Sequence, residues 1–378
     1  MSSPDDAFQD LARIFATRNN RILEIEILPP ALGPLLQDDC SIGISKKCLV
    51  QAFVTARRIF FQDTICKLDR GSSIAFRDGD ADAIATTTPE RKSDDLSICS
   101  EIILLFDCEH LTACNWRKKR LASLVQQHEL DPDNNAARET LLQELNAEMS
   151  LLTSFLCSPL HRHTKSPTLW QHRLWVLDRM IHLHNNGWLP QRPDLAKPRP
   201  LRDTTLQSLL EDELTIVLRA AELHPKNYYA FSHMRQLHGM LSGYMENSSS
   251  SLRLLAEPIV KTMLDWCQAH PTDISGWMFT LYVLQAIEDR GAQEGAVSRV
   301  FRFAVDIGWE GESLWTFVDL SVKYFGITGP TRGYRSSGLG CTATDQTERE
   351  HGTPGPKHPW KEWLTVAQDH RASQSSQS

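Results

Sequence analysis

The sequence has no apolar run long enough to cross a bilayer, no secretory hydrophobic segment at its start, and no CxxC pair among its nine scattered cysteines. These absences exclude a membrane span and a disulfide framework. They lead to the expectation of a cytoplasmic chain with reduced thiols. Basic clusters are also scarce. Apart from Arg117, Lys118, Lys119 and Arg120, no dense block of Lys or Arg occurs, and the net charge is −7. A nucleic-acid footprint is therefore not expected. Catalytic signatures are missing as well. There is no GxSxG, His128-Glu129 lacks the second His of a zincin, and no glycine-rich loop follows a strand. The His-x-His pairs at 161/163 and 182/184 have no Cys or carboxylate at metal-site spacing beside them, so no metal is expected in this chain.

What is present is apolar material in helical order. With 378 residues, 41% of them hydrophobic, the chain can bury a substantial core. Residues 1–45 read as an N-terminal capping segment: an amphipathic stretch at 6–17, a strand-like stretch at 22–28, and a Pro29-Pro30 stop. Residues 46–325 read as one helical-repeat domain, interrupted by a polar insertion at about 71–96 that is expected to be disordered. Residues 326–378 read as a flexible tail. Within it, Trp360, Trp363, Leu364 and Ala367 share one face of a short helix at about 359–370, which docks back or binds a partner.

The 46–325 stretch carries a worn internal repeat. Its anchors are Cys114, Trp170, Phe231, Trp277 and Trp315, about 40 to 60 residues apart, the spacing of helical hairpins with insertions. A polar or Pro-containing turn starts each anchor helix. In two copies Lys165 and Lys226 stand five residues before the anchor, with His172 and His233 two after it. The anchors are read as plugs between neighbouring hairpins. The fold class predicted is all-α, a right-handed α-α superhelix of TPR-like hairpins.

Lys226-Asn227-Tyr228, together with Trp170 and Arg173 at i and i+3, resembles the protein prenyltransferase alpha-subunit repeat. Thr112 to Lys118 and the Lys165 copy look most like the branch of alpha-subunit repeat-containing proteins. The resemblance covers about residues 104–325. It implies an alpha-type subunit that embraces a beta subunit and supports transfer of a geranylgeranyl, or less readily a farnesyl, group to a C-terminal Cys of a client protein. Zinc would sit in the beta subunit, and the isoprenoid diphosphate would be the substrate. Lys165 would be the catalytic residue, neutralising the departing diphosphate, while Lys226, Asn227 and Tyr228 would meet the ligand or the subunit interface. Cys114 and Phe231 replace the family's Trp, and Thr280 and Val318 replace its Arg. That erosion leaves open a non-catalytic scaffold that binds a protein partner on the same hairpins.

Overall fold

A computed structural model describes residues 4–71, 89–160, 162–185, 201–244, 248–327 and 359–375. The chain is all-α apart from one small sheet, with thirteen helices among the described residues. It divides into two compact units: Met1–Pro198 with Arg219–His233, and Arg199–Leu218 with Met234–Ser378.

The first unit opens with α1 (Pro4–Ala16), whose apolar face buries Ala7, Leu11, Ile14 and Phe15. Strands β1 (Glu24–Leu28), β2 (Leu35–Asp38) and β3 (Ser41–Ser45) follow. They form a sheet of order β1-β3-β2, with β1 parallel and β2 antiparallel to β3. Ile25 pairs with Ile42 and Ile27 with Ile44, so alternation places Ile25, Ile42 and Ile44 in the core. The outer edge of β1 is not left bare, because the Leu23 and Ile25 amides donate to Ser154 and Ser158 at 2.8 Å. Extended structure at 22–28 is thus present, and β2 and β3 add to it.

Then come α2 (Lys46–Gly71), α3 (Pro89–Phe106), α4 (Leu111–Leu130), α5 (Asn135–Leu156) and α6 (Pro167–Asn185). Each packs on the next along α2–α3–α4–α5–α6. Helix α3 begins at Pro89, within the segment 71–96 that the sequence marks as an insertion. Its charged first turns hide the signal, but Leu96 is already buried and Cys99, Ile102 and Ile103 continue the same face. Residues 72–88, the rest of that insertion, lie outside the described residues.

Helices α7 (Leu201–Leu223) and α8 (Tyr228–Gly243) precede those of the second unit: α9 (Ser248–Ala269), α10 (Ile274–Gln285), α11 (Arg290–Ile307), α12 (Glu312–Phe325) and α13 (Trp360–Ser375). There α9 packs on α10, α10 and α11 on α12, and α13 on α11 and α12. Gly276 makes the α9–α10 approach possible, since a Cβ there would lie 2.5 Å from the Trp266 ring. Gly308 and Gly326, at φ of 70° and 60°, end α11 and α12 in the left-handed conformation that glycine adopts without strain.

The tail helix docks back. Ala367 is buried, the Trp363 indole donates to Asp319 at 3.2 Å, and its ring meets Phe301 edge-on. It runs past residue 370 to Ser375. No helix among the described residues is long and apolar enough to cross a membrane.

Candidate functional site

The repeat turns have one construction. Four residues before each anchor stands the N-cap of the anchor helix: His110, Ser166, Asn227, Asp273 and Gly311. Four of these side chains accept from amides of the first turn, satisfying donors that would otherwise be orphaned. Where the anchor is Trp, its indole N–H returns to the carbonyl six residues earlier: Trp170 to Thr164 at 2.8 Å, Trp277 to Pro271 at 3.1 Å, and Trp315 to Trp309 at 3.0 Å. The ring then packs on the residue two past the next anchor, Trp170 on His233 and Trp277 on Phe317, both at 4.9 Å. Trp170, Phe231, Trp277 and Trp315 are all buried. The anchors are packing devices that also staple the turn.

Within the first unit two such turns interlock, and they carry every candidate site residue. The Lys165 ammonium, at the end of the 3-10 turn His163–Lys165, donates to the Pro225 carbonyl at 2.9 Å. In return the Asn227 amide donates to the Thr164 carbonyl at 2.6 Å, while its oxygen caps α8 at Ala230 N. Lys226, between the two, has φ of +60°, so the chain reverses there and starts α8 at once. Lys165 and the Lys226 turn are therefore held together by two hydrogen bonds. Tyr228, the first residue of α8, is 56% exposed. Asn227 is fully buried with both ends of its amide engaged, so it builds the turn that presents Lys226 and Tyr228. Lys165 makes no ion pair among the described residues, and two of its three N–H groups remain for other acceptors.

Sequence reading missed a buried charge network beside this turn. Arg117, three residues past its anchor, grips Glu148 through Nε at 2.9 Å and Nη2 at 2.6 Å, and also donates to Ser100 and Glu101. His172 reaches Glu148 Oε1, the oxygen that Arg117 Nε also holds, at 2.8 Å, and Arg18 pairs with Glu101 at 2.6 Å. Burial alone would raise the Glu148 pKa, but Arg117 and the His172 hydrogen bond outweigh it and hold the carboxyl well below its usual range. Arg173, in the same repeat position as Arg117, donates to Thr153 at 2.9 Å. All these groups are buried, so the network is structural and offers nothing to a substrate.

Other chemistry is sparse. Burial pushes the thiols of Cys99 and Cys267 up to about 12 and that of Cys114 up to about 11, which leaves them inert as nucleophiles. His163 is buried against the Leu104 carbonyl at 3.0 Å, and burial pushes its pKa down to about 4. Among the described residues no group of His, Cys, Asp and Glu is placed to hold a metal. A cavity of about 360 Å³ is lined by Val125, His128, Glu129, Arg179 and His182, where α4 and α6 end. It lies at the far end of α6 from Lys165, about 25 Å along that helix. Its Arg179 is already paired with Asp178 at 2.6 Å, so it does not extend the lysine site.

Helical hairpins with capped, anchor-stapled turns define a helical-repeat protein, and residues 210–241 match the protein prenyltransferase alpha subunit repeat. That match contains the Lys226–Asn227–Tyr228 turn and the anchor Phe231. The chain is similar to protein prenyltransferase alpha subunit repeat-containing protein 1 of Danio rerio, 32% identical over 166 residues covering 42% of this chain and 36% of the relative. The Homo sapiens protein of the same name is 26% identical over 201 residues, covering 51% and 40%. A third relative, repeat-containing protein 1-A of Xenopus laevis, is 22% identical over 237 residues, covering 61% and 48%. The chain thus spans less than half the length of these curated relatives.

Proposed function

We propose that the chain is an alpha-type subunit of a protein prenyltransferase heterodimer in the cytoplasm, supporting transfer of a geranylgeranyl, or less readily a farnesyl, group to a C-terminal Cys of a client protein. The observation that carries this reading is the interlocked pair of turns, in which Lys165, held by the Pro225 carbonyl, forms no ion pair among the described residues. Diphosphate departure builds negative charge, and an ammonium already fixed by the Pro225 carbonyl meets that charge without reorganising. Zinc chemistry and most of the isoprenoid pocket belong to the beta partner. Tyr228, exposed beside the lysines, faces that partner or the isoprenoid diphosphate.

The test is co-expression with candidate beta subunits, followed by an isoprenoid-transfer assay of the complex and of its Lys165→Ala variant. A loss of roughly ten- to a hundredfold in rate with the complex intact is expected. An intact complex with unchanged transfer removes Lys165 from the mechanism.

A second reading, a scaffold that binds a protein partner without catalysis, is favoured by one observation. The Lys165 ammonium and the Asn227 amide both serve the fold, each holding a carbonyl of the other's turn. Complex formation with a partner but no transfer under any prenyl diphosphate selects this reading.

A further inference from the structure

Helix α13 joins its unit differently from α11 and α12. Residues 308–311 suffice to connect α11 to α12, whereas residues 326–359 stand between α12 and α13. Helix α12 buries Leu314, Trp315, Phe317 and Val318 outright. Among the described side chains of α13 only Ala367 is fully buried, and Trp363 and Leu364 are half-buried. Lys361, Glu362, Thr365, Gln368 and Asp369 make its outer face polar.

What α13 touches is nevertheless specific. Trp363, Ala367 and Arg371 lie at i, i+4 and i+8, along one stripe of the helix. The Trp363 indole donates to Asp319 on α12 at 3.2 Å, and its ring meets Phe301 on α11. Ala367 is the buried point of the stripe. The Arg371 guanidinium fills the space that a Cβ at Gly308 would need, at the C-terminal end of α11, where the helix dipole favours a cation. The surface beneath is also satisfied without this helix. Asp319 keeps Lys323 at 2.7 Å, and the last turn of α11 is closed by the Gly308 and Trp309 amides, which donate to Val305 and Ala304. Departure of α13 therefore leaves Asp319 paired. Shallow burial over a surface that needs no help from its occupant suits a helix that comes and goes.

We propose that the face of α11 and α12 under α13 is a docking groove for an amphipathic helix of a partner protein, one that presents an indole, a small residue and an arginine at i, i+4 and i+8. Helix α13 is a tethered occupant that keeps the groove closed until such a helix displaces it. This docking does not depend on prenyl transfer.

The test uses the full chain and a fluorescein-labelled, alanine-rich helical peptide of unrelated sequence with Trp, Ala and Arg at that spacing, followed by anisotropy. The same peptide with Ala for its Trp is the control. Ala367→Asp in the full chain puts a carboxylate at the buried point of α13 and should undock it. That variant should bind the peptide about a hundredfold more tightly than the parent, whose own helix competes at a near-millimolar effective concentration. Gln in place of the peptide's Arg should weaken binding about threefold. Hydrogen exchange reads the same event in the unaltered chain, where excess peptide should speed exchange in α13 about tenfold and leave α10 unchanged. Equal binding, or none, by parent and variant would overturn the proposal, as would binding indifferent to the Trp or α13 exchange unmoved by peptide. A parent chain that sediments as a dimer and becomes monomeric on Ala367→Asp would assign the groove to a second copy and overturn the partner assignment.

Discussion

The two units solve the same joint with opposite chemistry. Three residues past the anchor, the first unit has Arg117 and Arg173, which reach across to Glu148 and Thr153 on α5. The second unit has Thr280 and Val318 in those places, both buried, and its anchors meet aromatic neighbours instead: Trp277 on Phe317, and Trp315 edge-on to Phe301. The anchor helices start alike in both units, with the N-cap four residues before the anchor and the indole staple six residues before it. The repeat therefore fixes the turn tightly while leaving the lateral joint free to be ionic or apolar. The ionic version is brittle, because a charge left behind in the core has nowhere to go.

The largest expected effect tests that brittleness. Arg117→Ala should destabilise the chain by about 3–5 kcal/mol, because Glu148 stays buried without its main partner. Arg117→Met combined with Glu148→Leu should recover most of the loss, turning the joint into the second unit's kind. Urea unfolding of the three chains measures both. If the single variant costs less than about 1 kcal/mol, the ionic joint is not what holds α4 to α5.

Acid should separate the units next. His163 is held neutral with a pKa of about 4, below the ordinary value of about 6.5. A depressed value means that its contribution is whole above pH 6.5 and is lost as the pH falls toward 4. By pH 5 that loss is about 2 kcal/mol. Glu148, also depressed, adds a further loss below the usual carboxylate range. Hydrogen exchange at pH 7 and pH 5 should show α3 and α5 losing protection before α10 and α12. His163→Gln, which can donate to the Leu104 carbonyl without titrating, should flatten the difference.

The four aromatic anchors, Trp170, Phe231, Trp277 and Trp315, were legible because an aromatic at a helix start is a local signal, and all four are buried. Lys165 meets the 225–228 turn at the Pro225 carbonyl. The Glu148 network was not legible, since Arg117 and Glu148 lie on different helices and nothing near Glu148 marks it as buried. Asn227 shows a different limit. The same residue type serves as a ligand or as a cap, and only its two bonds to backbone decide. The start of α3 escaped because Glu90, Arg91, Lys92, Asp94 and Asp95 crowd its first turns, and polarity there resembles a loop.

A smaller effect sharpens the shared part of the design. Trp277→Phe keeps a ring in the core but removes the indole N–H that holds the Pro271 carbonyl at 3.1 Å. The expected cost is about 2 kcal/mol, combining lost packing with an unpaired carbonyl. The matching change at Trp170 should cost less, since the Thr164 carbonyl keeps the Asn227 amide as a donor. Equal costs at the two positions would show that the Asn227 bond does not compensate for a lost staple.

The smallest effect concerns the caps. Asp273 accepts from the amides of Ser275 at 2.9 Å and Gly276 at 3.1 Å, whereas Gly311 starts α12 with no side-chain cap. Asp273→Ala should cost about 1 kcal/mol, and Gly311→Asp, if its carboxylate takes up the missing bonds, should gain a few tenths. The gain is limited by Trp309, whose ring lies 2.6 Å from where a Cβ at position 311 would stand and must shift. Thermal midpoints of the two variants measure whether capping or ring packing governs that turn. A loss at Gly311→Asp as large as that at Asp273→Ala would mean that the bare glycine is there for Trp309, whose carbonyl receives the Trp315 indole, and that in this repeat the staple has displaced the cap.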